Sequence, residues 1–191
     1  MKQKIEIRLS GTGGQGLITA GIILAEAAIL DGKNVVQSQS YGPEARGGAS
    51  KSEVIISEGE IYYPKTSYPD ILLVMSQEAY NKYFNDLKPG GILIVDSTFV
   101  KNVSFSNAYL IPITKVTIEK LGKSVFANIV ALGILCEITK IVTKKSLTKA
   151  VLGRVPKDFI EQNRKALHLG FRLAKKELNS YKAPENIIAD M

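Results

Sequence analysis

The chain is poor in the residues that build metal centres and disulfide frameworks. Its 191 residues include one cysteine, Cys136, and one histidine, His168. A single cysteine cannot form an internal disulfide and fits a reducing cytoplasm. One Cys and one His are also too few for a zinc site or a cysteine-ligated iron–sulfur cluster. We therefore expect a cytoplasmic protein that holds no metal of its own.

Apolar segments long enough to cross a membrane are also lacking. Residues 124–136 carry no charge, but thirteen residues are too few to span a bilayer and enough for a buried helix. Such a helix is apolar almost all round, so it needs cover from its own sheet or from another subunit. Residues 1–4 lead directly into an alternating strand pattern, so no secretory signal is expected.

Positive charge is concentrated in the second half of the chain. Residues 1–96 carry 9 Lys/Arg and 11 Asp/Glu, whereas residues 97–191 carry 16 and 7. The basic half has no interleaved aromatic residues and no nucleic-acid motif, so it predicts a solvated or partner-facing surface and no nucleic-acid site.

The order of hydrophobic patterns predicts an α/β fold. Residues 5–9 alternate as a strand, Leu17 to Leu30 form an apolar helix, and Asn34 to Gln37 form a second strand. Continuous apolar runs at 70–75 and 92–95 are typical of central strands covered on both faces. We expect a Rossmann-like, mostly parallel sheet with flanking helices and a helical C-terminal part.

The remaining segments complete this prediction. A β-hairpin insertion is expected from a strand at 49–57, a turn at Glu58-Gly59 and a returning strand at 60–63. A further hairpin or one irregular strand is expected within 103–111. Helices are expected at 77–87 and, amphipathic, at 156–179. Residues 1–180 would form one domain, and residues 181–191 a tail.

A glycine-rich loop joins the first strand to the first helix. Gly11, Gly13 and Gly16 satisfy the spacing G-x-G-x-x-G in the context that a dinucleotide site requires. The acidic partner expected after the second strand is missing from residues 34–40, which argues against a nicotinamide cofactor. The loop either only turns tightly, or uses the backbone near Gly14 and the neutral amide of Gln15 to hold a phosphate or a facing backbone.

A second shaped loop follows the second strand. It reads Tyr41-Gly42-Pro43-Glu44-Ala45-Arg46-Gly47-Gly48. The carboxyl ends of parallel strands meet at one edge, so this loop is expected beside the glycine loop. Arg46 offers two parallel donors to a phosphate or carboxylate, unless Glu44 neutralises it.

Other polar candidates have ordinary structural interpretations. His168 fits the surface or packing face of the last helix, Cys136 fits a small core residue, and Asp96 with Ser97 fits a cap or turn at the end of a strand. No Ser/His/Asp, Cys/His or paired-carboxylate set is readable, so the chain does not carry a complete active site that the sequence reveals.

The two loops together resemble those of a known family. Gly11-Thr12-Gly13-Gly14-Gln15-Gly16 with Thr19-Ala20-Gly21, the Tyr41–Gly48 loop, and Asn128-Ile129-Val130-Ala131-Leu132-Gly133 are similar to the gamma subunits of 2-oxoacid:ferredoxin oxidoreductases. The form of the second loop looks most like the 2-oxoglutarate branch, and pyruvate or ketoisovalerate types are the neighbouring branches.

The resemblance implies a division of labour within a complex. Thiamine diphosphate would lie between alpha and beta subunits, and iron–sulfur clusters in beta or ferredoxin-like delta parts. The gamma subunit would hold no cofactor and would support coenzyme A (CoA) access and assembly. The complex would decarboxylate a 2-oxoacid oxidatively to acyl-CoA and CO2 and reduce ferredoxin.

Site residues carried over by the resemblance fall on the two loops. CoA phosphates or a partner would meet Gly11, Gly13, Gly14, Gln15, Gly16 and Arg46, and the catalytic subunits would meet Tyr41, Gly42, Pro43, Glu44, Gly47 and Gly48. Two rival functions stay open: a stand-alone nucleotide-binding enzyme, and an assembly module without any ligand contact.

Overall fold

The described residues form six strands and six α-helices, and the last four helices follow the last strand. The computed structural model describes residues 4–40 and 49–180. The strands are β1 Lys4–Thr12, β2 Asn34–Ser40, β3 Ala49–Ser57, β4 Ile71–Val74, β5 Ile92–Asp96 and β6 Tyr109–Ile111. The helices are α1 Leu17–Leu30, α2 Gln77–Tyr83, α3 Ile113–Leu121, α4 Ala127–Thr139, α5 Lys144–Arg154 and α6 Ile160–Ser180.

The strands form one mixed sheet in the order β2-β3-β1-β4-β5-β6. Strands β1, β4, β5 and β6 are parallel, whereas β3 lies between β1 and β2 and runs antiparallel to both. The α/β fold predicted from the sequence is confirmed.

The hairpin predicted with a returning strand at 60–63 is wrong in its position. Residues 60–63 form no strand. The antiparallel partners of β3 are instead β2 and β1, with Gln37 opposite Val54 and Arg8 opposite Glu53. The consecutive strands β2 and β3 therefore form the hairpin, and β3 separates β1 from β2.

Several predicted boundaries also shift. Of residues 103–111 only Tyr109–Ile111 form a strand, and the helix expected from residue 77 to 87 ends at Tyr83 and continues as a 3₁₀ turn. The last helix begins at Ile160 after a 3₁₀ turn at Lys157–Phe159. The expected tail, residues 181–191, lies outside the described residues.

Alternating side chains of the buried strands divide the interior into two cores, one on each face of the sheet. Ile7 and Leu9 face the larger core, which includes apolar residues of α1, α4, α5 and α6. Leu72 and Val74 face a smaller core under α2 and the segment 97–108. Ser76 is the N-cap residue of α2, because its hydroxyl accepts a hydrogen bond from the Ala79 backbone N–H.

The apolar helix α4 is covered by its own chain. All its residues from Ala127 to Glu137 are buried. Gly133 and Gly170 allow α6 to lie against it: a Cβ on Gly170 would lie 2.2 Å from the Val130 carbonyl oxygen, and one on Gly133 2.6 Å from the Leu167 carbonyl oxygen. The cover that the sequence left open is therefore supplied within the chain.

A buried cation joins β1 to the smaller core. The Arg8 side chain is 2% exposed, and its Nε donates to Glu53 Oε1 at 2.8 Å. Its two terminal nitrogens donate to Asp86 and to the Thr66 carbonyl oxygen. These bonds satisfy the buried guanidinium and tie β1 and β3 to the turn after α2.

Candidate functional site

The glycine loop forms a tight turn at the carboxyl edge of the sheet. Gly13 and Gly14 are exposed, and Gly14 has φ +87°. Gly16 is the N-cap residue of α1 with φ +72°. Both positive angles favour glycine, so the loop depends on this residue type at two places.

Gln15 closes the loop from inside. Its Oε1 accepts from the Thr12 backbone N–H at 2.8 Å, and its Nε2 donates to the Met75 carbonyl oxygen at 2.9 Å. A Cβ on Gly11 would lie 2.1 Å from Gln15 Oε1, so glycine at this position makes room for the amide. Of the two roles considered for Gln15, the described contacts fit the one in which it holds backbone.

Asn128 at the start of α4 supports the same loop, a contact that sequence reasoning missed. Its Nδ2 donates to the Gly16 carbonyl oxygen at 3.1 Å. A Cβ on Gly16 would lie 2.5 Å from that nitrogen. The sequence signal for this contact was a polar amide, Asn128, within a run of apolar residues.

The N-terminus of α1 is open to an incoming anion. Among residues 4–40 and 49–180, no side chain caps it, and its first turn contains no acidic residue. A Cβ at Gly13 or Gly14 would meet none of the described atoms within 4 Å. Free N–H groups and the helix dipole together favour negative charge at such a position.

A cleft of about 330 Å³ lies beside this turn. Phe99 and Val125 stand on its walls with 49% and 68% of their surface exposed. These two apolar side chains were not singled out from the sequence. The cleft is lined by Thr12, Gly14, Gln15, Met75, Phe99, Thr114, Ser124, Val125 and Ala127.

Asp96 does not contribute to this cleft. It is fully buried, and its Oδ1 accepts from the Thr98 backbone N–H at 3.0 Å. Its Oδ2 accepts from both the backbone N–H and the hydroxyl of Thr114. The carboxylate therefore caps the turn and the start of α3, as the cap interpretation of the sequence expected.

The second loop starts and ends at the same edge. Thr12 pairs with Ala49, and Ser40 pairs with Lys51, so the carboxyl ends of β1 and β2 lie on one side of the sheet. The loop itself, with Arg46 and its neighbours at 41–48, lies outside the described residues.

The end of β2 carries no carboxylate for a ribose. Residues 34–40 contain none, and Gln37 donates to the Ser52 hydroxyl at 3.1 Å. The glycine loop at Gly11, Gly13 and Gly16 therefore has no acidic partner at the end of β2, which a nicotinamide site would use to bind the ribose.

The remaining candidates stand apart from the cleft. His168 lies exposed on α6, edge-on to Phe171. Cys136 is buried in α4, where burial raises the pKa of its thiol to about 11 and leaves it unreactive at neutral pH.

Within residues 4–40 and 49–180, no group of three or more His, Cys, Asp or Glu side chains is arranged to hold a metal ion. None of the helices in those ranges has the length and apolar character needed to cross a membrane.

Comparisons with known proteins identify the family. The family model "Pyruvate ferredoxin/flavodoxin oxidoreductase" matches residues 6–173. The 2-oxoglutarate synthase subunit KorC of Methanocaldococcus jannaschii is 50% identical over 180 residues, which cover 92% of this chain and 96% of that protein.

Solved structures agree with this match. A keto/oxoacid ferredoxin oxidoreductase gamma subunit from Geobacter sulfurreducens superposes with a TM-score of 0.83 at 50% identity, covering 92% of this chain and 98% of that one. The 2-oxoglutarate:ferredoxin oxidoreductase of Magnetococcus marinus, solved with 2-oxoglutarate, CoA and succinyl-CoA, superposes with a TM-score of 0.81 at 26% identity. This chain covers 32% of that longer chain.

The resemblance inferred from the two loops is thus confirmed. The matched family model covers most of the chain, and the relatives span nearly its full length. The chain belongs to the pyruvate ferredoxin/flavodoxin oxidoreductase family, in its gamma-subunit branch.

Proposed function

We propose that this chain is the gamma subunit of a 2-oxoglutarate:ferredoxin oxidoreductase complex. The complex converts the 2-oxoacid and CoA to acyl-CoA and CO2 and passes two electrons to ferredoxin. The names of the similar proteins support both the subunit type and the substrate. No catalytic set is assembled among the described residues, so the chain supports chemistry that other subunits perform.

The metal-ligating residues that this chain lacks indicate which cofactors the other subunits hold. One cysteine cannot hold an iron–sulfur cluster, so the clusters belong to beta or delta subunits. Thiamine diphosphate belongs to the alpha and beta subunits. The single cysteine also suits a reducing cytoplasm. Residues 1–180 act as one gamma domain.

The open N-terminus of α1 carries the proposal for this chain's own role. The backbone N–H groups at the N-terminus of α1 have no described capping side chain, and the preceding turn of Gly14 and Gln15 lines a cleft beside exposed Phe99 and Val125. We assign the N–H groups, together with Arg46, to the phosphates of CoA. The exposed apolar pair and the loop 41–48 contact the catalytic subunits. Gln15 and Gly11 shape the loop behind this surface.

A charge placed on Gly13 tests the phosphate contact in the assembled complex. A Cβ added at Gly13 meets no described atom within 4 Å and needs no positive φ, so both Gly13→Asp and the neutral, similarly shaped Gly13→Asn should fold. The aspartate should raise the apparent KM for CoA about tenfold, because nearby unit charges interact by roughly 1–4 kcal/mol. Gly13→Asn should change it less than about twofold, and the KM for 2-oxoglutarate should stay constant in both.

Arg46→Ala provides a second test from the other loop. It should also raise the KM for CoA, since a bidentate donor to phosphate is lost. Unchanged CoA kinetics in both Gly13→Asp and Arg46→Ala would leave only an assembly role for this edge of the sheet.

The rival function, a stand-alone nucleotide-binding enzyme, can be tested by measuring dinucleotide binding directly. Equilibrium dialysis of the purified chain against NAD(H), NADP(H) and FAD should detect no tight binding, because β2 ends without a ribose-binding acid. Micromolar binding of any of these dinucleotides would favour the rival.

A further inference from the structure

A basic groove lies on the outer side of helices α5 and α6. Its volume is about 570 Å³. A second depression of about 320 Å³ adjoins it and shares two side chains with it. The α5–α6 groove, as we call the first depression, is lined by Lys144, Lys145, His168, Arg172 and Lys175 around Phe171.

The cations of this groove are largely uncompensated. Helices α5 and α6 carry nine Lys/Arg and two Asp/Glu. Lys144 contacts the Glu137 carboxylate at 2.6 Å. Lys145 and Lys175 form no ion pair with a carboxylate anywhere in residues 4–40 and 49–180. The groove therefore presents a positive potential that the described part of the chain does not neutralise.

The floor of the groove is shaped by packing within the protein. Phe171 is 7% exposed, with Lys144 Nζ 4.9 Å from its ring centre and the His168 ring edge-on at 6.1 Å. A buried ring offers no free face on which a nucleic-acid base could stack. No large exposed apolar side chain lines the groove, as insertion into a bilayer would require. Dispersed lysines around a concave floor instead suit several separate carboxylates.

The groove also lies away from the glycine loop. Helix α1 spans fourteen residues, about 20 Å, from that loop to Asp31. At this far end the Asp31 carboxylate accepts hydrogen bonds from the backbone N–H and the hydroxyl of Thr143, both at 2.7 Å, and Thr143 caps α5 just before Lys144. A partner on the groove would therefore leave the cleft edge accessible.

We propose that the α5–α6 groove docks an acidic protein surface, with several carboxylates on one exposed helix or loop. It is a second attachment point, separate from the edge assigned to CoA and the catalytic subunits. The binding is electrostatic, so it weakens as salt rises.

Binding of a fluorescein-labelled peptide of fifteen glutamates to the assembled complex tests the proposal. The groove variant Lys145→Glu with Lys175→Glu is compared with Lys65→Glu with Lys82→Glu, which lowers the net charge equally on another surface. All four lysines are exposed, so both variants should keep the melting temperature of the parent. Fluorescence anisotropy should show at least about tenfold weaker binding for the groove variant and less than about twofold for its control.

Three results would overturn the proposal. The parent complex could fail to bind the peptide at low salt. Both variants could weaken it equally, which would show attraction by net charge alone. Finally, duplex DNA or phosphatidylserine vesicles could bind the parent complex more tightly than the peptide does. If only the groove variant lost that binding, the groove would be assigned to another class of partner.

Discussion

At the scale of single residues, the glycine loop separates backbone strain from steric crowding. Gly14 and Gly16 both have positive φ, but only Gly16 has a close neighbour, Asn128. Gly14→Ala should cost about 1 kcal/mol from strain alone. Gly16→Ala should cost about 2–3 kcal/mol, because its new Cβ also displaces the Asn128 amide.

A double-mutant cycle in urea denaturation checks this assignment. Asn128→Ala removes the hydrogen bond to the Gly16 carbonyl oxygen and the one from the Ile129 backbone N–H, and should cost about 1–2 kcal/mol alone. The double variant with Gly16→Ala should be more stable than the sum of the single losses, because the truncated side chain makes room. Strict additivity would show that the crowding has no energetic effect.

Glu137 gives stability a defined dependence on pH. Burial opposes its ionisation, but hydrogen bonds and ion pairs from Lys140 and Lys144 outweigh that effect and lower the pKa of its carboxyl. Because the pKa of this carboxyl is lower in the folded than in the unfolded chain, the ionised carboxylate stabilises the fold at pH values above the unfolded-state pKa. This stabilisation is lost as the pH falls through the folded-state pKa.

Glu137→Gln should therefore destabilise the chain by about 1–3 kcal/mol at pH 7, and by progressively less below about pH 4.3. Urea unfolding curves from pH 3 to pH 8 measure the difference between parent and variant. A difference that does not change with pH would mean that the charge of the carboxylate is not what stabilises the fold.

At the scale of elements, the crossing of α4 and α6 depends on glycine. Gly170→Ala should destabilise by about 3 kcal/mol or more, because its Cβ would meet backbone of the facing helix and the helices must separate. Gly153→Ala is the matched control inside α5, where a Cβ meets nothing within 4 Å, and should stabilise by about 0.5–1 kcal/mol. Thermal melts should move in opposite directions; equal shifts would contradict the tight crossing.

The hairpin predicted at residues 49–63 shows where local sequence patterns stop predicting strand pairing. The alternating residues of β3 predict a strand but not its neighbours. The turn signal Glu58-Gly59 suggested pairing with residues 60–63, whereas β3 pairs with β1 over nine residues and with β2 over seven. These long backbone ladders outweigh a local turn preference, because they satisfy more backbone groups at once.

At the scale of the whole molecule, the isolated chain should fold without its partners. The apolar helix α4 is buried within the chain itself, so its amides should be protected from hydrogen exchange in the purified subunit. We expect the amides of residues 131–137 to exchange only through global unfolding. Exchange within seconds, slowed by adding partner subunits, would show that α4 needs their cover.

The sequence by itself determined the family, the α/β class and the limits of α1. The glycine spacing marks the turn before α1, the missing acid after β2 argues against a nicotinamide site, and the shortage of cysteine and histidine argues against a metal site; all three are local facts of the chain. Only the tertiary structure decided that the Gln15 amide bridges Thr12 and Met75, that Asn128 supports Gly16, and that Phe99 and Val125 flank the loop. These contacts join residues up to 112 positions apart, and packing in three dimensions, which no local pattern encodes, brings them together.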